Sequence, residues 1–344
     1  MTPKKEGFTF PAEWQPHKAT WLSFPCNEDT WENRLQKIYP SYFKFIKEIA
    51  EVEQVCINVA NPDVKKLVSS ELLNRGLHDY DIKLLDFPTN DSWCRDHGPS
   101  FVINSESREK AVVNWGYNAW GGKYPPFDDD NAIPARVSEL KKLKLFEPNI
   151  IMEGGSVEVN GNGTLMTSMS CLLNKNRNPH LKKKDIEQIL LDFYGMEQVL
   201  WIEDGIVGDD TDGHIDDTTR FINETTVLTA IEINRLDNNY AILQNNLTLL
   251  KEMKLWTGEK LNIVELPMPK PVYEENLRLP ASYANFYVCN GKVIVPTYQC
   301  SQDETALKII ASCFPKRKVI GIDSTSIIWG LGSFHCLSQQ EPLL

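Results

Sequence analysis

The feature that most constrains this chain is a β-hairpin signature that returns four times. The runs FVINSESREKAVVNW, SVEVNGNGTLMTS, RFINETTVLTA and FYVCNGKVIVPTY each place two apolar, β-prone segments around a turn that begins at an asparagine: Asn104, Asn160, Asn223 and Asn290. Such turns favour Asn and Gly because these residues tolerate positive φ. The four turns are 56, 63 and 67 residues apart, too far and too unevenly for a tight solenoid repeat, so each hairpin belongs to a larger module. After the later hairpins one order recurs: a helical pattern (LKKKDIEQILLDFYG, NNYAILQNNLTLLKEM, ETALKIIASCF), then an apolar strand (QVLWIE, LNIVEL, RKVIGI). The N-terminal part fits more loosely, with HKATWLSFP leading into a helical stretch over Arg34–Ala50 and the strand VCINVA. SELKKLKLF, after the first hairpin, is the poorest helix match. The chain therefore reads as about five strand-strand-helix-strand units. Small sheets with a helix outside suit radial closure, as in propellers, with a doubly wound α/β sheet as the alternative.

No linker or low-complexity tract divides the 344 residues, and the two expected loops, Asn118–Asn131 and Asn174–Pro179, are short, so a single domain over residues 1–344 is expected. The net charge of −11 excludes a nucleic-acid partner, which needs clustered Lys and Arg, and suits a small cation instead. No apolar run reaches the roughly 20 residues that cross a bilayer, and the N-terminus has no signal-type apolar core, so a cytoplasmic location without membrane contact is expected. The eight cysteines show no CxxC spacing; they are expected as free thiols, mostly small core residues, without a structural zinc site.

Chemistry concentrates just before the hairpins. Asp91-Ser-Trp-Cys-Arg-Asp96 precedes the first, Glu153-Gly-Gly the second, and His214-Ile-Asp216 opens the third, inside the acidic run GDDTDGHIDD. If the modules surround an axis, equivalent strand ends converge, and Asp96, Glu153, His214 and Asp216 line one pocket. Taken singly, Asp96 reads equally as a turn residue paired with Arg95, Glu153 as the entry to a glycine turn, and the acidic run as a solvated loop; its spacing does not match an EF-hand. Near the C-terminus, WGLGSFHCLSQQEP brings Gly330 and Gly332 beside Cys336, a pattern of close backbone approach next to a thiol nucleophile. Carboxylates raise a thiol's pKa unless a cation intervenes. A guanidinium supplies one: it is planar and permanently charged, two carboxylates can clamp its N–H groups, and its central carbon stays open to sulfur.

These residues resemble the agmatine deiminase family, relatives of the bacterial peptidylarginine deiminases within the guanidino-group-modifying superfamily. The resemblance rests on FPAEWQPHKATWLSFP, DSWCRDHGPSFV, NWGYNAWGGKYPP, MEGGSVEVNGNGTLMTS, DDTDGHIDDTTRF and GSFHCLSQQEP, in the family's order over nearly the whole chain. It implies an α/β fold, a five-bladed pseudo-symmetric propeller of ββαβ units, and hydrolysis of agmatine to N-carbamoylputrescine and ammonia on the route to putrescine, with no metal or organic cofactor. It also implies the roles. Cys336 is the nucleophile, His214 the general acid and then base, Asp96 and Asp216 the guanidinium clamp, and Glu153 a hydrogen-bonding partner near His214. Where many relatives read GGGNIHC and DETNGH, this chain has GLGSFHC and DDTDGH. Asp210 then stands where an acid reads the substrate's distal amine, one methylene shorter than Glu, and Trp93, Trp120 and Gly332 are expected to line the alkyl tail. His335 is read as setting the backbone of Cys336, because neighbouring side chains diverge. The expected partner is a small cationic guanidine, with association into a homo-oligomer left open, and deimination of free or peptidyl arginine and non-catalytic guanidine or polyamine binding are the alternative functions.

Overall fold

A computed structural model describes residues 1–32 and 34–344. It is a mixed α/β fold in which one topology is used repeatedly. Ser100–Asn104 and Glu109–Val113 pair antiparallel, and after the helix Ile133–Lys141 the strand Lys144–Phe146 joins the second of them in parallel. The same order recurs in Val157–Val159, Thr164–Ser168, helix Lys183–Tyr194 and Gln198–Ile202. It recurs again in Thr219–Asn223, Thr226–Ile231, helix Asn239–Glu252 and Asn262–Pro267, and in Tyr287–Cys289, Lys292–Thr297, helix Gln302–Cys313 and Lys318–Asp323. A hairpin closes locally, whereas a parallel partner requires a crossover, which here is the helix.

Besides a two-stranded hairpin, Val272–Glu274 with Leu277–Leu279, there is a four-stranded sheet assembled from early and late segments of the chain. Ser338–Pro342 pairs antiparallel with His17–Ser23, which pairs in parallel with Gln54–Asn58 across the helix Leu35–Ala50, and Ile82–Leu85 is added outside. Helix Leu35–Ala50 shows why the helices form where they do: Leu35, Ile38, Tyr39, Tyr42, Phe43, Ile46 and Ile49 recur at three- and four-residue spacing and are all buried against Val55, Ile57 and Phe334. At about 25 cal/mol per Å² of apolar area removed from water, each such side chain contributes roughly 1.5–3 kcal/mol.

Two local expectations change. SELKKLKLF is not one helix: its first half ends the helix Ile133–Lys141, Lys142 takes a left-handed conformation (φ 53°), and Lys144–Phe146 becomes the parallel strand. The stretch 118–131 is no plain loop but carries the short turns Ala119–Gly122 and Asp128–Asn131. Asn174–Pro179 has no helix or strand, as expected. All eight cysteines are free thiols. Among the described residues no helix is long and apolar enough to cross a membrane.

Candidate active site

Each hairpin is preceded by a short turn that delivers polar groups to one place. The turn Cys94–His97 carries Asp96, Glu153 precedes the 3₁₀ turn Gly154–Ser156, and His214 precedes the 3₁₀ turn Ile215–Asp217. Asn285 stands before the fourth hairpin, and Cys336 two residues before the strand Ser338–Pro342. Gly155 demonstrates the convergence. A methyl group on it would lie 2.7 Å from His214 Nδ1, 2.8 Å from Asp96 Oδ1 and 3.0 Å from Asp216 Oδ2, so three of the expected site residues meet around a position that only glycine leaves open.

The two aspartates are held by different partners. Asp96 accepts the Gly155 N–H on Oδ1 (2.9 Å) and the Trp120 indole N–H on Oδ2 (2.9 Å). Trp120 is thus an orienting donor to Asp96 as well as part of the pocket wall, a role that sequence reasoning missed. Asp216 Oδ2 accepts from His335 Nδ1 at 2.6 Å and lies 3.6 Å from Cys336 Sγ, while its buried Oδ1 has no hydrogen-bond partner among the described residues.

His214 is enclosed by acids, with Nδ1 3.7 Å from Asp96 Oδ1 and Nε2 3.8 Å from Glu153 Oε2. These are ion-pair distances, longer than hydrogen bonds. Burial favours the neutral ring, but the Asp96 carboxylate, with Cys171 and Glu153, outweighs it and raises the His214 pKa well above the ordinary value. Glu153 is kept ionised: burial pushes its pKa up, and His214 and Arg177 bring it below the usual range, with Arg177 Nε donating to Oε1 at 2.8 Å. Burial, then Asp216, Asp217 and Asp96, hold the Cys336 thiol well above its ordinary pKa. Asn285 Nδ2 donates towards its sulfur (2.9 Å) and to Asp217 Oδ1 (3.0 Å). These directions favour the charged ring of His214 and the thiol, rather than the thiolate, of Cys336.

Cys336 and Asp96 lie on a cavity of about 780 Å³ that is also lined by Trp93, Trp120, Gly332 and Asp210. A methyl on Gly332 would meet the Trp93 ring at 2.5 Å and Cys336 Cβ at 3.0 Å. Asp210 is half-exposed and already engaged: Tyr124 Oη donates to it, and Lys123 Nζ lies 3.3 Å from its Oδ1. The rest of the acidic run is divided by role. Asp209 folds the loop by accepting from the N–H groups of Thr211, Gly213 and His214, Asp212 pairs with Arg177 and Lys123, and Asp217 meets Asn285. Glu153, Cys171 and His214 offer donor atoms within 4.8 Å of one another, a set of ligand types that suits zinc, but the Arg177 guanidinium already occupies one oxygen of Glu153.

His335 departs from expectation. Its side chain does not merely diverge from Cys336; it bridges Asp216 and Glu13, with Nε2 2.8 Å from Glu13 Oε2. Glu13 also meets Arg95 (3.1 Å) and Arg220 (3.0 Å). Asn285 carried a legible signal, its place before the fourth hairpin, whereas the partners of Glu13 and His335 are set by tertiary structure alone.

The Cys336 thiol and the Asp96 carboxylate line one cavity, and Asp216 and the acid-flanked His214 converge on them, an arrangement that suits a planar cation. The chain belongs to the Porphyromonas-type peptidyl-arginine deiminase family, which it matches over residues 9–342. Within that family it is similar to proteins named for agmatine. A Legionella pneumophila protein described as a candidate agmatine deiminase is 39% identical over 99% of this chain and 96% of its own. The agmatine deiminase of Pseudomonas aeruginosa is 33% identical over 99% and 97%. The solved agmatine deiminase of Enterococcus faecalis superposes with a TM-score of 0.92 at 31% identity, over 99% of this chain and 97% of that one.

Proposed function

We propose that this chain is an agmatine deiminase, a hydrolase that converts agmatine and water to N-carbamoylputrescine and ammonia. The observation that carries the reading is the Asp216 carboxylate, whose Oδ2 lies 3.6 Å from Cys336 Sγ and meets Asp96 around Gly155, while its buried Oδ1 has no partner among the described residues. That arrangement lacks one thing, a cation, and a guanidinium supplies it.

The agmatine guanidinium donates N–H groups to Asp96 and Asp216 and lowers the pKa of Cys336 as it binds, so that the thiol gives up its proton to solvent only when substrate is present. The sulfur attacks the guanidinium carbon and a C–S bond forms. His214 gives its proton to one nitrogen, the C–N bond breaks, and ammonia leaves a thiouronium on Cys336. Water, deprotonated by His214, attacks the same carbon, and the C–S bond breaks to return the thiolate and release the ureido product. Glu153 and Arg177 keep His214 in place. Trp93, Trp120 and Gly332 flank the alkyl chain, and the distal ammonium meets Asp210 in exchange with Lys123. One catalytic domain over residues 1–344, with its five modules set around an axis as a propeller and working in the cytoplasm, is the architecture that fits this chemistry.

The test is to incubate the protein with agmatine, free arginine and a blocked arginyl peptide and to measure ammonia and ureido product, with Cys336→Ala as control. Turnover of agmatine that vanishes in Cys336→Ala supports the reading. Faster turnover of arginine than of agmatine would refute the substrate assignment, and undiminished activity in Cys336→Ala would refute the covalent route.

A further inference from the structure

We infer that Glu13 and His335 form a positioning pair that sets the orientation of Asp216, so that a residue near the N-terminus controls the guanidinium site. The inference rests on the role given to Asp216 above.

Three observations carry it. The two Asp216 oxygens are in different states: Oδ2 is fixed by His335 Nδ1 at 2.6 Å, and Oδ1, fully buried, has no partner among the described residues. A carboxylate with one anchored and one free oxygen cannot turn about its Cβ–Cγ bond without breaking the anchor, so the free oxygen stays directed at one place. His335 is fixed from its other side by Glu13 Oε2 at 2.8 Å, and an imidazole gripped at both nitrogens has neither a flip nor a tilt available. Glu13 in turn is immobilised by Arg95 at 3.1 Å, by Arg220 at 3.0 Å and by the Val288 N–H, 2.8 Å from its Oε1. Each of these side chains is at least nine-tenths buried, so water does not replace a lost partner, and charged hydrogen bonds of this kind are about twice as strong as neutral ones. The chain of contacts also explains a sequence block that the chemistry did not otherwise use: the FPAEW segment holds the acid at its far end. Glu13 and His335 touch no reacting atom in the scheme above. They act through Asp216.

The experiment measures agmatine binding calorimetrically in the Cys336→Ala background, where nothing is turned over, for His335→Gln, Asp216→Asn and the double variant, with thermal melts alongside. His335→Gln is expected to weaken binding by about tenfold, and to add less than about twofold once Asp216 is already Asn, because coupled residues are not additive. A general structural role would give the same loss in both backgrounds, and binding unchanged by His335→Gln would equally overturn the inference. If His335→Gln does not fold, Glu13→Gln, which keeps the shape and removes only charge, is measured in the same cycle and is expected to weaken binding by about threefold through the same coupling. Failure of the functional reading looks different: the parent Cys336→Ala protein would then not bind agmatine, or Asp216→Asn would bind it undiminished.

Discussion

In the proposed scheme most of the chemistry turns on His214, whose protonation is set by its neighbours against burial. Asp96, Glu153 and Cys171 overcome the burial that would make it neutral. Because its pKa is raised in the folded protein, its charge stabilises the fold fully below the unfolded value of about 6.5, and that contribution is lost as pH rises through the folded value. The melting temperature of the native protein should therefore exceed that of His214→Asn by most in mildly acidic buffer, with the gap narrowing at alkaline pH; a gap that widens with pH would show that the ring is neutral at rest. In turnover, His214→Ala should lose at least about 10²-fold in kcat, the low end of what a positioned general acid and base supplies. Steady-state assays at saturating agmatine measure that loss directly.

At the level of elements, the site depends on the turns that lead into the hairpins rather than on the hairpins themselves. Two glycines separate these roles. Gly155 faces His214, Asp96 and Asp216 within 3.0 Å of an added methyl, whereas Gly291, in the turn of the fourth hairpin at φ 73°, has nothing within 4 Å of one. Gly155→Ala should lower kcat/KM by about 10²-fold, since a displacement near 1 Å at reacting groups costs that much. Gly291→Ala should leave activity unchanged and cost about 1 kcal/mol of stability, the penalty for a side chain in the left-handed region. Kinetics paired with melts on the two variants would reveal any exchange of these effects. The elements were largely legible because alternation marks strands and three-to-four spacing marks helices; all four hairpins lie where their asparagines place the turns. SELKKLKLF was misread because a short strand directly after a left-handed Lys142 leaves too few residues to show a change of period. In the site, Asp96, Glu153, His214 and Asp216 could be grouped from their places before hairpins. The partners of Asp216 could not, since nothing local in FPAEW or SFHC announces that the two segments touch.

For the whole molecule, the decisive contact is the one between its ends. Ser338–Pro342 lies against His17–Ser23, the Trp21 indole N–H donates to Glu341 at 3.0 Å across 320 residues of sequence, and Arg95 reaches Gln340 at 2.7 Å. Deleting residues 338–344 keeps Cys336 in the chain but removes the strand that seats it. The truncated protein should be inactive and melt well below the native one, and activity retained at native level after the deletion would show that Cys336 is placed by its own loop. The same join has a meaning for how the protein is made. During synthesis the first strand leaves the ribosome more than 300 residues before its partner, and Cys336 follows every other residue of the proposed site. A nascent chain that has not yet reached Cys336 therefore carries the proposed clamp and proton shuttle without the thiol, and no turnover is expected before Ser338–Pro342 has emerged and paired with His17–Ser23.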